Sequence, residues 1–296
     1  ETLPQPAQRP PTGNPTPVTH TVGITWAGQP VRIEYAWVGI ADSTAPLMVF
    51  LHEGLGSLSM WRDFPQRLCA ALGMRGLVYS RPGYGQSTPR PATEQWQPDF
   101  MHRQALEVLP ALLAALGVDT ARQPPWLFGH SDGGSIALLH AALRPAHTAG
   151  LVVLAPHILV EDISVNSIEQ ARLAYLNTDQ QPSLKQRLAK HHADPDSAFW
   201  GWNGVWLSPA FRSWNITPEL ATIRCPVLAV QGLDDEYGTL EQIRGIARVV
   251  PHTRLLELPA CGHSPHKDQP QAVVDAVCAF VAQGPVGAEK LRPRCA

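Results

Sequence analysis

Residues 124–140 read PPWLFGHSDGGSIALLH: an apolar run, then Ser131 between Gly129 and Gly133, then a helix-forming run. The stretch predicts a strand, a sharp turn and a helix, with Ser131 at the apex. A strand that turns directly into a helix forces its apex residue into a strained conformation. It also brings neighbouring backbone so close that side chains at 129 and 133 would clash. G-x-S-x-G alone is a weak signal. The strand before it and the helix after it are what give it weight.

Outward from this stretch the chain alternates. Upstream, PLMVFLH (46–52) is a continuous apolar run of the kind expected for a strand buried on both faces of a mainly parallel sheet. A helix-compatible stretch from Met60 to Leu72 follows, then the strand GLVYS (76–80) and a helix from Met101 to Leu116. Downstream come a helix from Gly133 and the strand GLVVLAP (150–156). Before all of these, HTVGITWAG (20–28) and VRIEYAWVG (31–39) read as a hairpin joined through Gly28-Gln29-Pro30. The pattern predicts an α/β fold, with a mostly parallel central sheet and helices on both faces.

From Ile158 to about Glu219 the alternation stops, and the segment holds helical stretches, the loop KHHADPD (190–196) and the tryptophan-dense FWGWNGVWL (199–207). Alternation resumes with PVLAVQG (226–232), a helix near Leu240 to Val249, the strand RLLELP (254–259) and a last helix from about Pro270. In that helix Val273, Val277, Phe280 and Val281 recur with helical spacing. The expected organisation is therefore a proline-rich arm (1–19), a core in two parts (20–157 and 220–284), a helical lid (158–219) inserted before the last two strands, and a tail (285–296).

A serine hydroxyl is a poor nucleophile at neutral pH and needs a base that a third group orients. The candidate base is His263, in LPACGHSPHKDQP (258–270), a loop between a strand and a helix. The candidate acid lies after PVLAVQG in Asp234-Asp235-Glu236. Asp235, three residues past Gly232, is favoured, with Asp234 as the rival. The order Ser131, Asp235, His263 puts each in a loop at the C-terminal end of a strand, the edge where open α/β sheets carry their sites. An oxyanion would need backbone donors. The amide of Asp132 is one candidate, and Gly54, in HEGLGSLSMW (52–61), supplies the other.

Taken together these segments resemble the α/β-hydrolase superfamily, in its lid-bearing branch of serine esterases and lactonases. LHEGLGS (51–57) with Trp61 resembles the family's HGxxGSxxxW loop, and SRPGYGQS (80–87) its RGxGxS turn. GHSDGG (129–134), QGLDD (231–235) and GHSPH (262–266) resemble its nucleophile, acid and histidine loops. The resemblance spans about Val22 to Ala282. It implies the α/β-hydrolase fold and a Ser131–His263–Asp235 triad that needs no cofactor. The expected activity is hydrolysis of small to medium apolar or aromatic carboxylic esters through an acyl-enzyme. Lactones and thioesters would undergo the same acyl chemistry.

Serine at the apex excludes the dehalogenases and epoxide hydrolases, which use aspartate there. The GGSWG-like elbow of the proline-specific aminopeptidases is absent. The carbon–carbon bond hydrolases of aromatic catabolism keep the triad and remain the alternative, although their usual asparagine before the serine is here His130. A ligand-binding module on a hydrolase fold is the non-enzyme alternative, and such modules usually lose a triad member.

One departure stands out. Glu53 occupies the family's usual glycine, and Asp132 adds a second carboxylate beside the same hole. An anion there opposes a developing oxyanion unless it points away or is compensated. Either both side chains turn aside onto backbone amides, or one faces the pocket, binds a substrate hydroxyl or amine and disfavours anionic acyl groups. Trp200, Trp202 and Trp206 are the expected lid contacts to substrate, shared with packing of the lid onto the core. His52 and Arg81 are expected to anchor loops, Trp61 to pack the core, and His191 and His192 to be exposed lid residues.

Bulk properties narrow the rest. The 23 Lys+Arg and 25 Asp+Glu in 296 residues leave no basic stripe for nucleic acid and no polybasic membrane patch. The most apolar helical stretch, ALEVLPALLAALGV (105–118), is interrupted by Glu107 and Pro110 and falls short of a bilayer span. Five cysteines without CxxC spacing argue against a disulfide framework or a zinc site, so no metal is expected. The opening residues carry no basic-then-apolar leader pattern. The expectation is a cytoplasmic protein acting on a small-molecule ester, as a monomer or a homodimer.

Overall fold

The computed structural model describes residues 16–283. The expected tail and most of the proline-rich arm lie outside the described residues.

Strand β1 (His20–Trp26) pairs antiparallel with β2 (Gln29–Gly39). The turn is tighter than the sequence suggests. Ala27 and Gly28 both have positive φ, 51° and 74°, so two residues close the hairpin and Gln29 and Pro30 already belong to β2. Strands β3 (Leu47–Leu51), β4 (Arg75–Tyr79), β5 (Trp126–His130), β6 (Gly150–Leu154), β7 (Val227–Gly232) and β8 (Thr253–Leu258) complete one sheet. Its order is β1-β2-β4-β3-β5-β6-β7-β8, antiparallel through β2 and parallel from β4 onward. Every residue of β3, β5, β6 and β7 is buried, whereas edge strand β8 is largely accessible. Continuous apolar runs thus mark the two-sided centre of the sheet.

Helix α1 (Phe64–Leu72) starts later than Met60, because residues 58–61 form a tighter turn and Arg62 takes a positive φ of 54°. The expected 101–116 helix is α2 (Phe100–Arg103) and α3 (Leu109–Ala115), joined by the wider turn Gln104–Val108. Pro110 accounts for the widening, since it lacks an N–H and its ring would press on the carbonyl four residues back. Helix α4 (Asp132–Leu143) follows β5 directly. Between β6 and β7 lie α5 (Asp162–Leu176), α6 (Leu184–Leu188), α7 (Pro195–Trp206) and α8 (Thr217–Leu220). Helices α9 (Glu241–Val249), α10 (Pro265–Asp268) and α11 (Pro270–Ala282) end the fold. Val273, Val277, Phe280 and Val281 are buried on α11, as their spacing predicts.

The β5–α4 junction carries the strain the sequence implies. Ser131 has φ 53°, a region that residues with a Cβ rarely occupy. A Cβ on Gly133 would stand 2.0 Å from the Leu51 carbonyl oxygen, and one on Gly129 would stand 2.3 Å from that of Gly133. Both obstacles are backbone and cannot rotate away. Gly133→Ala is therefore expected to destabilise the fold by about 3 kcal/mol in urea denaturation. Gly204→Ala, at an exposed position of the otherwise mostly buried α7 and with nothing within 4 Å of the added carbon, is expected to stabilise it by about 0.5 kcal/mol or more. Equal effects at the two positions would contradict the clash.

Candidate active site

Three loops at the C-terminal edge of the parallel strands bring Ser131, His263 and Asp235 together. Ser131 follows β5, its amide tied to the Leu154 carbonyl at 2.9 Å. Asp235 follows β7 and His263 follows β8. His263 Nε2 lies 2.9 Å from Ser131 Oγ, and His263 Nδ1 lies 2.9 and 3.1 Å from the Asp235 oxygens. Asp235 is itself fixed: the Tyr237 amide donates to Oδ1 at 2.8 Å and Gln231 Nε2 donates to Oδ2 at 3.1 Å. Asp234 is exposed and takes no part in this line.

Four imidazoles crowd this edge, and the electrostatics separate them. Burial pushes His130 down to about 4, His157 to about 3 and His266 well below the ordinary histidine value. Burial also works against the His263 cation, but the Asp235 hydrogen bond and charge, with Glu53 and Glu236, outweigh it and raise its pKa. Asp235 shows the complement. Its burial is overcome by the His263 hydrogen bond and charge and by the Tyr237 amide, and its pKa falls. Of the four, His263 alone has its cation favoured by its surroundings and its pKa raised.

Beside Ser131 a cavity of about 50 Å³ is lined by Gly54, Asp132, Trp202, Trp206, Tyr237 and His263, among others. The Asp132 amide is the first of α4, a position with no intrahelical acceptor. Gly54 must be glycine, because a Cβ there would meet the Trp202 ring at 2.2 Å. Its loop is held from below by Arg81, whose guanidinium donates to the carbonyls of His52 and Glu53. The Arg81 amide donates to His52 Nε2 at 3.0 Å, and His52 Nδ1 donates to the Glu53 carbonyl at 2.7 Å. His52 and Arg81 thus anchor loops as expected, and Trp61 is buried core.

Several expectations need correction. Neither carboxylate accepts a backbone amide: Asp132 Oδ1 accepts the Trp206 indole N–H at 3.1 Å, and Glu53 Oε1 faces Lys267 Nζ at 3.5 Å. Trp202 and Trp206 reach the cavity but Trp200 does not. It packs against Tyr175 and Phe199 on the outer side of α7, two positions from Trp202, whereas Trp202 and Trp206 share a face at a spacing of four. His192 is buried rather than exposed. The Gly85 amide donates to its Nδ1 at 2.9 Å and its Nε2 donates to the Leu55 carbonyl at 2.9 Å, stapling the segment before α7 to the loops under the cavity.

The structure also adds residues to the lining that the sequence reading did not select. Tyr237 lies 4.7 Å from the His263 ring, and His157 lies 5.9 Å from His263 and 4.9 Å from Trp206. His157 was findable, since it follows β6 at the same sheet edge as the other site loops. Leu55 and Ile168 carried no comparable signal. Among the described residues no cluster of His, Cys, Asp or Glu fits a metal ion, and no helix is long and apolar enough to cross a membrane.

A family model described as the alpha/beta hydrolase family matches residues 48–276. The chain belongs to that family. The hydrolase is 26% identical over 264 residues to the sn-1-specific diacylglycerol lipase ABHD11 of Mus musculus, covering 81% of this chain and 82% of the relative. It is 23% identical over 261 residues to 2-hydroxy-6-oxo-6-phenylhexa-2,4-dienoate hydrolase of Burkholderia cepacia, covering 80% and 88%. Among solved structures, a thermophilic esterase of Thermogutta terrifontis superposes with a TM-score of 0.67 at 19% identity, over 90% of this chain and 98% of the other, a likeness of fold. The homologues support hydrolase activity.

Proposed function

We propose that the protein is a serine hydrolase of carboxylic esters that works through an acyl-enzyme. The reading rests above all on the 2.9 Å contact between Ser131 Oγ and His263 Nε2, backed by Asp235 on the other ring nitrogen. Ser131 Oγ attacks the ester carbonyl while His263 takes its proton. The amides of Gly54 and Asp132 stabilise the oxyanion. His263 then gives the proton to the leaving alcohol, and water activated by the same imidazole hydrolyses the acyl-enzyme. Asp235 holds the imidazole with Nδ1–H toward itself, so that Nε2 is free to accept. The substrate expected is a small-molecule ester whose acyl part is small and partly apolar, in keeping with a cavity of about 50 Å³ walled by Trp202 and Trp206.

A second reading, carbon–carbon bond hydrolysis, is favoured by the Burkholderia cepacia relative. Purified protein offered a panel of short aryl and alkyl esters beside a vinylogous 1,5-diketone separates the two. Turnover of the esters with none of the diketone is expected. The reverse pattern would overturn the ester reading.

The pH profile follows from the His263 environment. A base must be neutral to accept a proton, and its raised pKa means the cation persists to higher pH than in free histidine. The acid limb of kcat/KM is therefore expected above about pH 6.5. Glu53 contributes to the rise through its charge. Glu53→Gln should move the limb to lower pH, and an unmoved or raised limb would contradict the field described here.

A further inference from the structure

We propose that the cavity selects acyl groups carrying a protonated amine on the carbon next to the carbonyl, with Asp132 as the carboxylate that binds the amine. The inference rests on the ester-hydrolase reading and narrows its substrate class. Asp132 is 1% exposed, yet it makes a single side-chain hydrogen bond, from Trp206 to Oδ1. Its Oδ2 is buried and without a partner. That oxygen would stand 3.1 Å from a Cβ built on Gly54, so it borders the loop proposed above to supply an oxyanion amide.

A buried carboxylate oxygen left unpaired is costly, and fold and packing here do nothing to satisfy it. A ligand that brings a donor would.

The charge of that donor follows from the rest of the lining. Glu53 adds a second carboxylate, whereas among the described residues no Lys or Arg lines the cavity. Lys267 sits on Glu53 from outside, and the Arg81 guanidinium, whose charge draws on Asp132, commits the donors described here to the carbonyls of His52 and Glu53, so neither offers an N–H to Asp132 Oδ2. Burial pushes Asp132 up to about 6 against the pull of Arg81 and Trp206, and a bound ammonium would draw it back toward its ionised form. An acyl group with a cation satisfies the unpaired oxygen and pairs with the Asp132 charge. One with a hydroxyl satisfies the oxygen alone, an alkyl group neither, and a carboxylate is repelled. Trp202 and Ile168 close the walls and keep the acyl side chain small.

The test uses the whole protein and three benzyl esters of nearly equal shape: L-alanine, L-lactic acid and isobutyric acid, at neutral pH. The expected order of kcat/KM is alanyl, lactyl, isobutyryl, with at least about tenfold between first and last. In Asp132→Asn, which keeps the backbone amide, the alanyl to isobutyryl ratio should fall at least about tenfold from that of the parent, a comparison that cancels the intrinsic reactivity of the two esters. A ratio is unaffected by the fraction of active protein. A measurement that needs no variant stands beside it: alaninamide should inhibit isobutyryl ester turnover at a concentration at least about tenfold below isobutyramide. Isobutyryl turnover equal to or faster than alanyl would overturn the amine inference and leave the ester reading intact. A ratio that is unchanged in Asp132→Asn would overturn the role of Asp132. Failure to turn over any ester would overturn both.

Discussion

Ser131→Ala is expected to lower ester turnover on the order of 10⁴-fold or more while leaving the fold in place. The size of the effect follows from the line of groups around Ser131. His263 is held with its Nε2 on the hydroxyl, and its pKa is raised by Asp235, Glu53 and Glu236. Without Oγ that imidazole has nothing to activate except water, and no covalent intermediate forms. Residual hydrolysis would come from binding and from the amides of Gly54 and Asp132. A thermal melt close to that of the parent, measured beside the kinetics, shows that chemistry rather than folding was lost. Activity within tenfold of the parent would mean that the attacking group lies elsewhere.

Asp235→Asn should cost about 10⁴-fold in kcat, whereas Asp234→Asn should stay within about twofold. An asparagine amide at 235 can donate to His263 Nδ1, which must then accept and leave its proton on Nε2. The base is lost because its accepting nitrogen is occupied. The charge is also removed from beside His263, so any residual activity should show an acid limb at lower pH. Asp234 is exposed, and its backbone amide bonds to the Cys261 carbonyl, so its carboxylate has no route into the line. Equal losses at 234 and 235 would contradict this assignment.

The two neighbouring aspartates show how far the sequence reaches. A strand ending at Gly232 and an acidic loop after it can be read from PVLAVQGLDD, but loop geometry cannot be read to one residue. The arbiters are tertiary: the Tyr237 amide and the Gln231 side chain clamp Asp235 and not Asp234. Ser131 needed less help, because the glycines at 129 and 133 encode the close backbone approach that shapes its turn.

The lid shows the opposite case. Helix α7 is apolar around much of its circumference, so composition alone does not separate Trp200 from Trp202 and Trp206. The side facing the cavity depends on how α7 packs on α5, where Asn203 Nδ2 donates to the Ile168 carbonyl at 3.1 Å. His192 was illegible for a similar reason. Its two partners, at Gly85 and Leu55, lie more than a hundred residues away in the chain, and a histidine in a polar loop gives no hint of them.

The partnering of the two carboxylates was equally hidden. A residue following the nucleophile is placed by the turn, but whether its side chain meets an amide, an indole or a substrate depends on α7 arriving above it.

The most direct measurement is covalent. Folded protein treated with a fluorophosphonate at neutral pH, digested and analysed by mass spectrometry, should carry one adduct on the peptide containing Ser131. The adduct should vanish in Ser131→Ala and form more slowly as pH falls through the acid limb. Folded protein that takes no label, or an adduct on another residue that persists in Ser131→Ala, would contradict the account.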